Sequence, residues 1–166
     1  MIVHPIPPLF DKNSKTLILG SFPSVKSREA AFFYGHPQNR FWSVLAEIYK
    51  TPKPLTVEEK KMLILENNLA LWDVIASCEI VGSSDSSISD VTANDLSIII
   101  ENSKVNRIFV NGKTAEKYYN KYTYPKTGIK AVCLPSTSPA NAAWDINKLV
   151  ETWKIIKENR CENSDE

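Results

Sequence analysis

Residues 16–24 read Thr-Leu-Ile-Leu-Gly-Ser-Phe-Pro-Ser, an unbroken apolar run that stops abruptly in glycine, serine and proline. A short apolar run closed by turn residues predicts a strand covered on both faces. Three similar runs follow, at residues 69–75 (LALWDVI), 105–110 (VNRIFV) and 129–134 (IKAVCL). Between them the apolar spacing turns helical, most clearly where Phe41, Val44, Leu45, Ile48 and Tyr49 fall at i, i+3, i+4, i+7 and i+8. Thr56 and Glu59 form a capping box for a helix over 57–68, and a further helix fits 114–122. The last helix covers much of 141–158, with Ile146, Leu149, Val150 and Trp153 on its inner face. Parallel neighbours need crossover connections, so strands alternating with helices predict a three-layer α/β/α sandwich around a central, mainly parallel four-stranded sheet.

The chain has 166 residues, 43% hydrophobic and 23% charged, which suits one core and predicts a single domain over 1–166, with 160–166 a frayed tail. No run approaches the roughly 18 apolar residues needed to span a bilayer. The amino terminus lacks the charged-then-apolar order of a signal peptide, so the expected compartment is the cytoplasm. Cys78, Cys133 and Cys161 are too few for a four-cysteine cluster and none are at CxxC spacing, so neither metal nor other cofactor is expected. The net charge of +1 is spread unevenly. Segment 24–40 carries Lys26, Arg28, His36 and Arg40 against Glu29 alone, whereas 76–103 has five acids and no Lys or Arg. This predicts a basic edge around the first segment.

A parallel sheet gathers its working loops at the carboxyl ends of its strands. Here those loops are Ser21-Phe22-Pro23-Ser24, residues 83–89, Asn111-Gly112-Lys113 and Pro135-Ser136-Thr137-Ser138-Pro139. Turn chemistry alone explains either proline-serine loop. Two of them on parallel strands can also grip successive phosphates of one DNA strand, while proline keeps each stiff enough to press into a duplex. The Asn111-Gly112-Lys113-Thr114 stretch lacks a P-loop's earlier glycine, because Arg107 stands there, which argues against a P-loop nucleotide triphosphatase; Gly112 reads as a turn or helix start. The densest stretch is 32–42, FFYGHPQNRFW. Phe41 and Trp42 open the amphipathic helix and belong to the core, whereas Tyr34, His36, Gln38, Asn39 and Arg40 lie on the loop ahead of it. An aromatic ring beside amides is what an extruded base requires: a stacking wall and a group to hold water or read an edge. Helix capping is the other reading of Asn39.

Residues 20–42 (GSFPSVKSREAAFFYGHPQNRFW), with LWDVI at 71–75, NGK at 111–113 and LPSTSPAN at 134–141, closely resemble the hypoxanthine-DNA glycosylases, a branch of the uracil-DNA glycosylase superfamily. The resemblance spans roughly residues 16–155. It implies the superfamily's fold and a monofunctional hydrolase that acts as a monomer on double-stranded DNA, releases a deaminated base, hypoxanthine foremost, and leaves an abasic site. The superfamily's first motif usually places Asn or Asp two residues after its glycine, and Phe22 stands there, at the base site. The resemblance assigns the attacking water to Asn39, which we expect to orient it through the carbonyl oxygen, the stack on the base to Tyr34, and the base edge to Asp73, with Asn111 the next candidate reader. A structural hydrogen bond is the alternative for Asp73. Ser21, Ser24 and Lys26 fall on the DNA side of the first loop. Ser136, Thr137 and Ser138 match the second motif, whose loop enters the minor groove; it lacks a large wedge residue, leaving Pro139, Ala140 and Asn141 as candidates. His36 either polarises the leaving base or braces its loop. A uracil-preferring glycosylase and a catalytically silent DNA-binding domain remain the alternatives.

Overall fold

In the computed structural model, residues 1–157 are described. The expected frayed tail at 160–166 and Cys161 lie outside them. The strands are β1 (Ile2–Val3), β2 (Thr16–Gly20), β3 (Leu69–Asp73), β4 (Ile75–Glu79), β5 (Ser89–Ala93), β6 (Arg107–Asn111) and β7 (Ala131–Leu134). The helices are α1 (Val25–Ala30), α2 (Phe41–Tyr49), α3 (Val57–Glu66), α4 (Ser97–Ile100), α5 (Lys113–Tyr118), α6 (Tyr124–Thr127) and α7 (Ile146–Trp153).

The central sheet has four strands in the order β3-β2-β6-β7, all parallel. All five residues of β2 are buried, as its unbroken apolarity predicts for an inner strand. Alternate residues serve opposite faces. Ile18, Leu71 and Phe109 pack with Phe41, Leu45 and Trp153 of α2 and α7, whereas Leu17, Leu19 and Val110 pack with Ile99 and Ala115 of α4 and α5. Two cores on one sheet make the expected three-layer α/β/α sandwich. The register sets Gly20 beside Asp73 and Asn111 beside Leu134, so the working loops leave the sheet side by side.

The run 69–75 is not one strand. It breaks after Asp73, where Val74 N–H turns to the carbonyl of Gly20 at 2.9 Å and Ile75 N–H to that of Ser21 at 3.1 Å. Asn94 Nδ2 donates to the carbonyls of Asp73 and Ile75 and secures the bend. Ile75 then opens β4, the middle strand of a separate antiparallel sheet ordered β1-β4-β5. Apolar spacing cannot announce this bend, because both strands on either side of it are apolar.

Other boundaries moved for local reasons. The helix expected over 114–122 is α5 followed by a π turn over Tyr119–Thr123, and α6 stops at Gly128, whose φ of +69° suits glycine. The last helix begins at Ile146, not before, because Asp145 caps it by accepting from Lys148 N–H at 2.9 Å. The Thr56–Glu59 capping box is present. Sequence spacing did not reveal α1, which Ser24 caps.

Candidate active site

The carboxyl ends of β2, β3 and β6, with the loops after β2 and β7, surround a cleft of about 300 Å³. Ser21, Phe22, Ser24, Tyr34, His36, Asn39, Asp73, Asn111, Ser136, Thr137, Ser138 and Pro139 all line it. Lys26 and Asn141 do not; Lys26 is exposed outside it, and Asn141 folds its amide back onto the carbonyl of Ser136 at 3.0 Å. Pro139 and Ala140 are the exposed tip of the second loop.

Tyr34 sits in the left-handed region, φ +53°, and its ring stacks on Phe41 at 4.0 Å between centroids. One ring face is thereby taken by the core. Its hydroxyl is buried, with no partner in good hydrogen-bond geometry among the described residues and the Asn111 amide nearby. Burial, then the nearby Asp73 charge, hold the phenol protonated well above the usual tyrosine range, with Asn111 opposing.

Asn39 shows how its two readings combine. Its Oδ1 accepts from Phe41 N–H at 2.9 Å, tying the start of α2, and from the Thr137 hydroxyl at 2.8 Å. A backbone N–H is an obligatory donor, so the bond to Phe41 fixes which end of the amide is oxygen. The oxygen expected to orient water thus has both its lone pairs engaged, and Nδ2 is the end left without a protein partner among the described residues. Asn111 completes the tie, accepting from Thr137 N–H at 3.1 Å and donating Nδ2–H to the Thr137 hydroxyl at 3.0 Å. Thr137 is fully buried with hydroxyl and N–H both engaged, so it braces the site and offers nothing to a phosphate.

Two arginines counted toward a basic edge are spent on the loops. Arg40 reaches the carbonyls of Ser138 (2.8 Å), Asn141 (3.2 Å), Trp144 and Thr137. Arg28 donates to the carbonyls of Pro23 at 3.2 Å and Gly82 at 2.6 Å, and lies over the Phe22 ring. Neither has a carboxylate partner among the described residues, so their charges stay beneath the two loops. Ser24, Ser136 and Ser138 accept bonds from nearby backbone N–H groups, which stiffens the same loops. His36 Nδ1 accepts from Gln38 N–H, a loop brace.

Asp73 is buried at the cleft floor. Its Oδ2 is 2.7 Å from His4 Nε2, while Oδ1 has no partner among the described residues and is not a buried orphan, so it faces the cleft. An added Cβ at Gly20 would stand 2.4 Å from this Oδ1, so only glycine allows the carboxylate its place. Sequence reading missed His4, although a histidine in the apolar stretch IVHPIPP signals a buried partner. It also missed Asp85 at the rim, whose carboxyl burial pushes up and which accepts from Ser21 at 3.4 Å. Among the described residues no group of three or more His, Cys, Asp or Glu is placed to share a metal ion.

The family model described as uracil DNA glycosylase superfamily matches residues 7–158. The chain belongs to the uracil DNA glycosylase superfamily. Within it, a protein named hypoxanthine DNA glycosylase from Methanosarcina acetivorans is 34% identical over 158 residues, 94% of this chain and 98% of that one. Another of that name, from Methanosarcina barkeri, is 32% identical over 68% of this chain and 72% of its own. A solution NMR structure of a Methanosarcina acetivorans protein, described as a candidate uracil DNA glycosylase, matches with a TM-score of 0.80 at 32% identity, covering 95% of this chain and 98% of that one. The resemblance carried by residues 20–42 and the three later words thus extends along nearly the whole chain. In this superfamily member Phe22 is 8% exposed and its ring meets His4 edge-on at 5.9 Å, so the departure from a polar first motif is part of the packing around Asp73. His4 itself precedes the span that the family model matches.

Proposed function

We propose that the chain is a monofunctional DNA glycosylase that hydrolyses a deaminated base, with hypoxanthine preferred, from double-stranded DNA. The observation that carries this reading is the open Oδ1 of Asp73 on the cleft floor. A carboxylate offers acceptors only, which suits the N1–H of hypoxanthine, whereas adenine presents a bare N1 whose lone pair it repels. The relatives named hypoxanthine DNA glycosylase support the same choice.

Breaking the glycosidic bond sends its electron pair to the base and leaves an oxocarbenium-like sugar; water adds to that carbon and releases a proton. The site must stabilise the base as it leaves, hold the water and need no strong nucleophile. Asn39, whose oxygen is spent, acts through Nδ2–H, a fixed donor for negative charge developing on the base or for the oxygen of the water. Tyr34 stacks by its remaining face. Pro139 and Ala140 fill the space that the base vacates, and the charges of Arg28 and Arg40 under the loops draw phosphates to them.

Labelled duplexes carrying hypoxanthine, uracil, xanthine or an alkylated purine, incubated with excess protein and then cleaved at abasic sites with alkali, test the proposal. Hypoxanthine should be released fastest. Uracil shares the amide N–H that Asp73 accepts, so a uracil rate above the hypoxanthine rate would overturn the preference, and DNA binding without any abasic product would overturn the activity.

A further inference from the structure

The amino-terminal arm, which begins ahead of the family's matched span, is stitched along β3 and β4. His4 N–H bonds to the carbonyl of Ala76 at 2.7 Å, Leu9 pairs with Leu71, and Trp72 Nε1 donates to the carbonyl of Ile6 at 3.1 Å. This places the His4 ring edge-on to both Phe22 (5.9 Å) and Trp72 (6.3 Å), with its side chain 3% exposed. Water is excluded from the ring, so its hydrogen bonds are decided by two neighbours.

Those two bonds fix its state. Ile6 N–H, which can only donate, reaches His4 Nδ1 at 3.2 Å, so Nδ1 carries no proton. The ring proton is therefore on Nε2 and points to Asp73 Oδ2 at 2.7 Å. We propose that His4 is the positioning residue for base selection: its neutral imidazole anchors one oxygen of Asp73 and turns the other, Oδ1, into a fixed acceptor for the amide N–H of the extruded base.

The physical argument has two parts. An aspartate's terminal torsion is broad and nearly two-fold, so a carboxylate held at one oxygen has a defined plane, and one held at neither does not. Gly20 gives the carboxylate room, and among the described residues only His4 bonds to it and so sets its angle. The second part is charge. A neutral donor leaves the carboxylate's charge uncancelled, so Oδ1 makes a charge-assisted bond to a base N–H and repels a bare ring nitrogen. This inference rests on the proposed base reading by Asp73, and it assigns His4 to positioning, since it does not touch the base.

Full-length His4→Ala and His4→Gln, measured beside wild type in single turnover on hypoxanthine and adenine duplexes, test it. The glutamine amide can still donate to Oδ2. His4→Ala should release hypoxanthine about tenfold or more slowly, with a smaller hypoxanthine-to-adenine ratio and unchanged duplex affinity, because a hydrogen bond to a charged group is lost. His4→Gln should recover most of the rate and the ratio. A folded His4→Ala with wild-type rate and ratio would overturn the inference, and so would equal losses in both variants that track lowered melting temperatures at an unchanged ratio. Imidazole ¹⁵N shifts of wild-type protein give a test without any variant: a proton on Nδ1, or on both nitrogens, at neutral pH overturns it. If wild type releases uracil and not hypoxanthine, the base preference fails while His4 is judged by the same comparison on uracil and by the same spectra.

Discussion

The hydroxyl of Thr137 donates to Oδ1 of Asn39 at 2.8 Å, joining the loop before α2 to the loop after β7 across 98 positions of chain. Because Asn111 Nδ2–H already donates into that hydroxyl, its single proton has one direction to go. The Asn39 amide is thus locked, its nitrogen without a partner among the described residues. Two loops that read as separate motifs in the sequence share one hydrogen-bonded unit.

Asn39→Ala should slow base release by about 10²–10³ at saturating enzyme while duplex affinity stays near normal, the usual cost of one preorganised donor. Asn39→Asp discriminates between the two ends of the amide. It keeps acceptors for Phe41 N–H and Thr137 but removes the Nδ2–H donor, so single-turnover release should fall nearly as far as in Asn39→Ala. An aspartate variant as fast as wild type would return the catalytic role to the oxygen.

Thr137→Val preserves shape and removes the hydroxyl, leaving one donor of Asn111 and one lone pair of Asn39 unmet. A buried unpaired group costs about 1–3 kcal/mol. Calorimetry should show a melting temperature lower by several degrees, at about 2–4 °C per kcal/mol for a chain of this size. Base release should slow as well, and Thr137→Ser should restore both.

Arg40→Lys keeps the charge and loses the planar fork that spans the carbonyls of residues 137–144. The second loop should loosen, so duplex affinity drops while release from saturated complex is largely kept. Binding isotherms and single-turnover rates on the same preparation separate the two; a variant with full affinity would show that the clamp is dispensable.

The central sheet was legible because parallel, doubly covered strands read as unbroken apolar runs, and TLILG needed no correction at either end. The second sheet was not, since β1 has two residues and β5 reads Ser-Asp-Val-Thr-Ala, with no apolar run to mark it. Family words pointed to Tyr34, Asn39 and Asp73, which line one cleft, but such words name positions and say nothing of bonding. Which atom of Asn39 is free depends on Thr137, and what aims Asp73 depends on His4, 69 positions away. Contacts of that range are set by the crossovers of the fold, and residue spacing does not encode them.

Asp73→Asn keeps the shape of the side chain but can present a donor or an acceptor to the cleft. Hypoxanthine release should slow and its margin over adenine should narrow, as single-turnover rates on the two duplexes will show. Unchanged rate and ratio would make Asp73 structural and move base reading to Asn111.

Gly20→Ala reaches the same carboxylate without altering any polar group. The new Cβ would lie 2.4 Å from Asp73 Oδ1 and 3.2 Å from the Tyr34 hydroxyl, and the first distance is too short for any real contact. Gly20 is the last residue of a fully buried strand whose register with β3 sets it beside Asp73, so the backbone has little freedom to retreat. The side chain must move instead, turning Oδ1 away from its place and straining the His4 bond. Release of hypoxanthine should therefore fall by about tenfold or more, as expected when a charged hydrogen bond is displaced. Asn39, Thr137 and Arg40 are untouched, so duplex affinity should hold. The decisive comparison is Gly20→Ala combined with Asp73→Asn: if both act through one carboxylate, the double variant should be little slower than the slower single one. Fully multiplicative losses would show that the methyl group acts elsewhere, with the Tyr34 hydroxyl the nearest group.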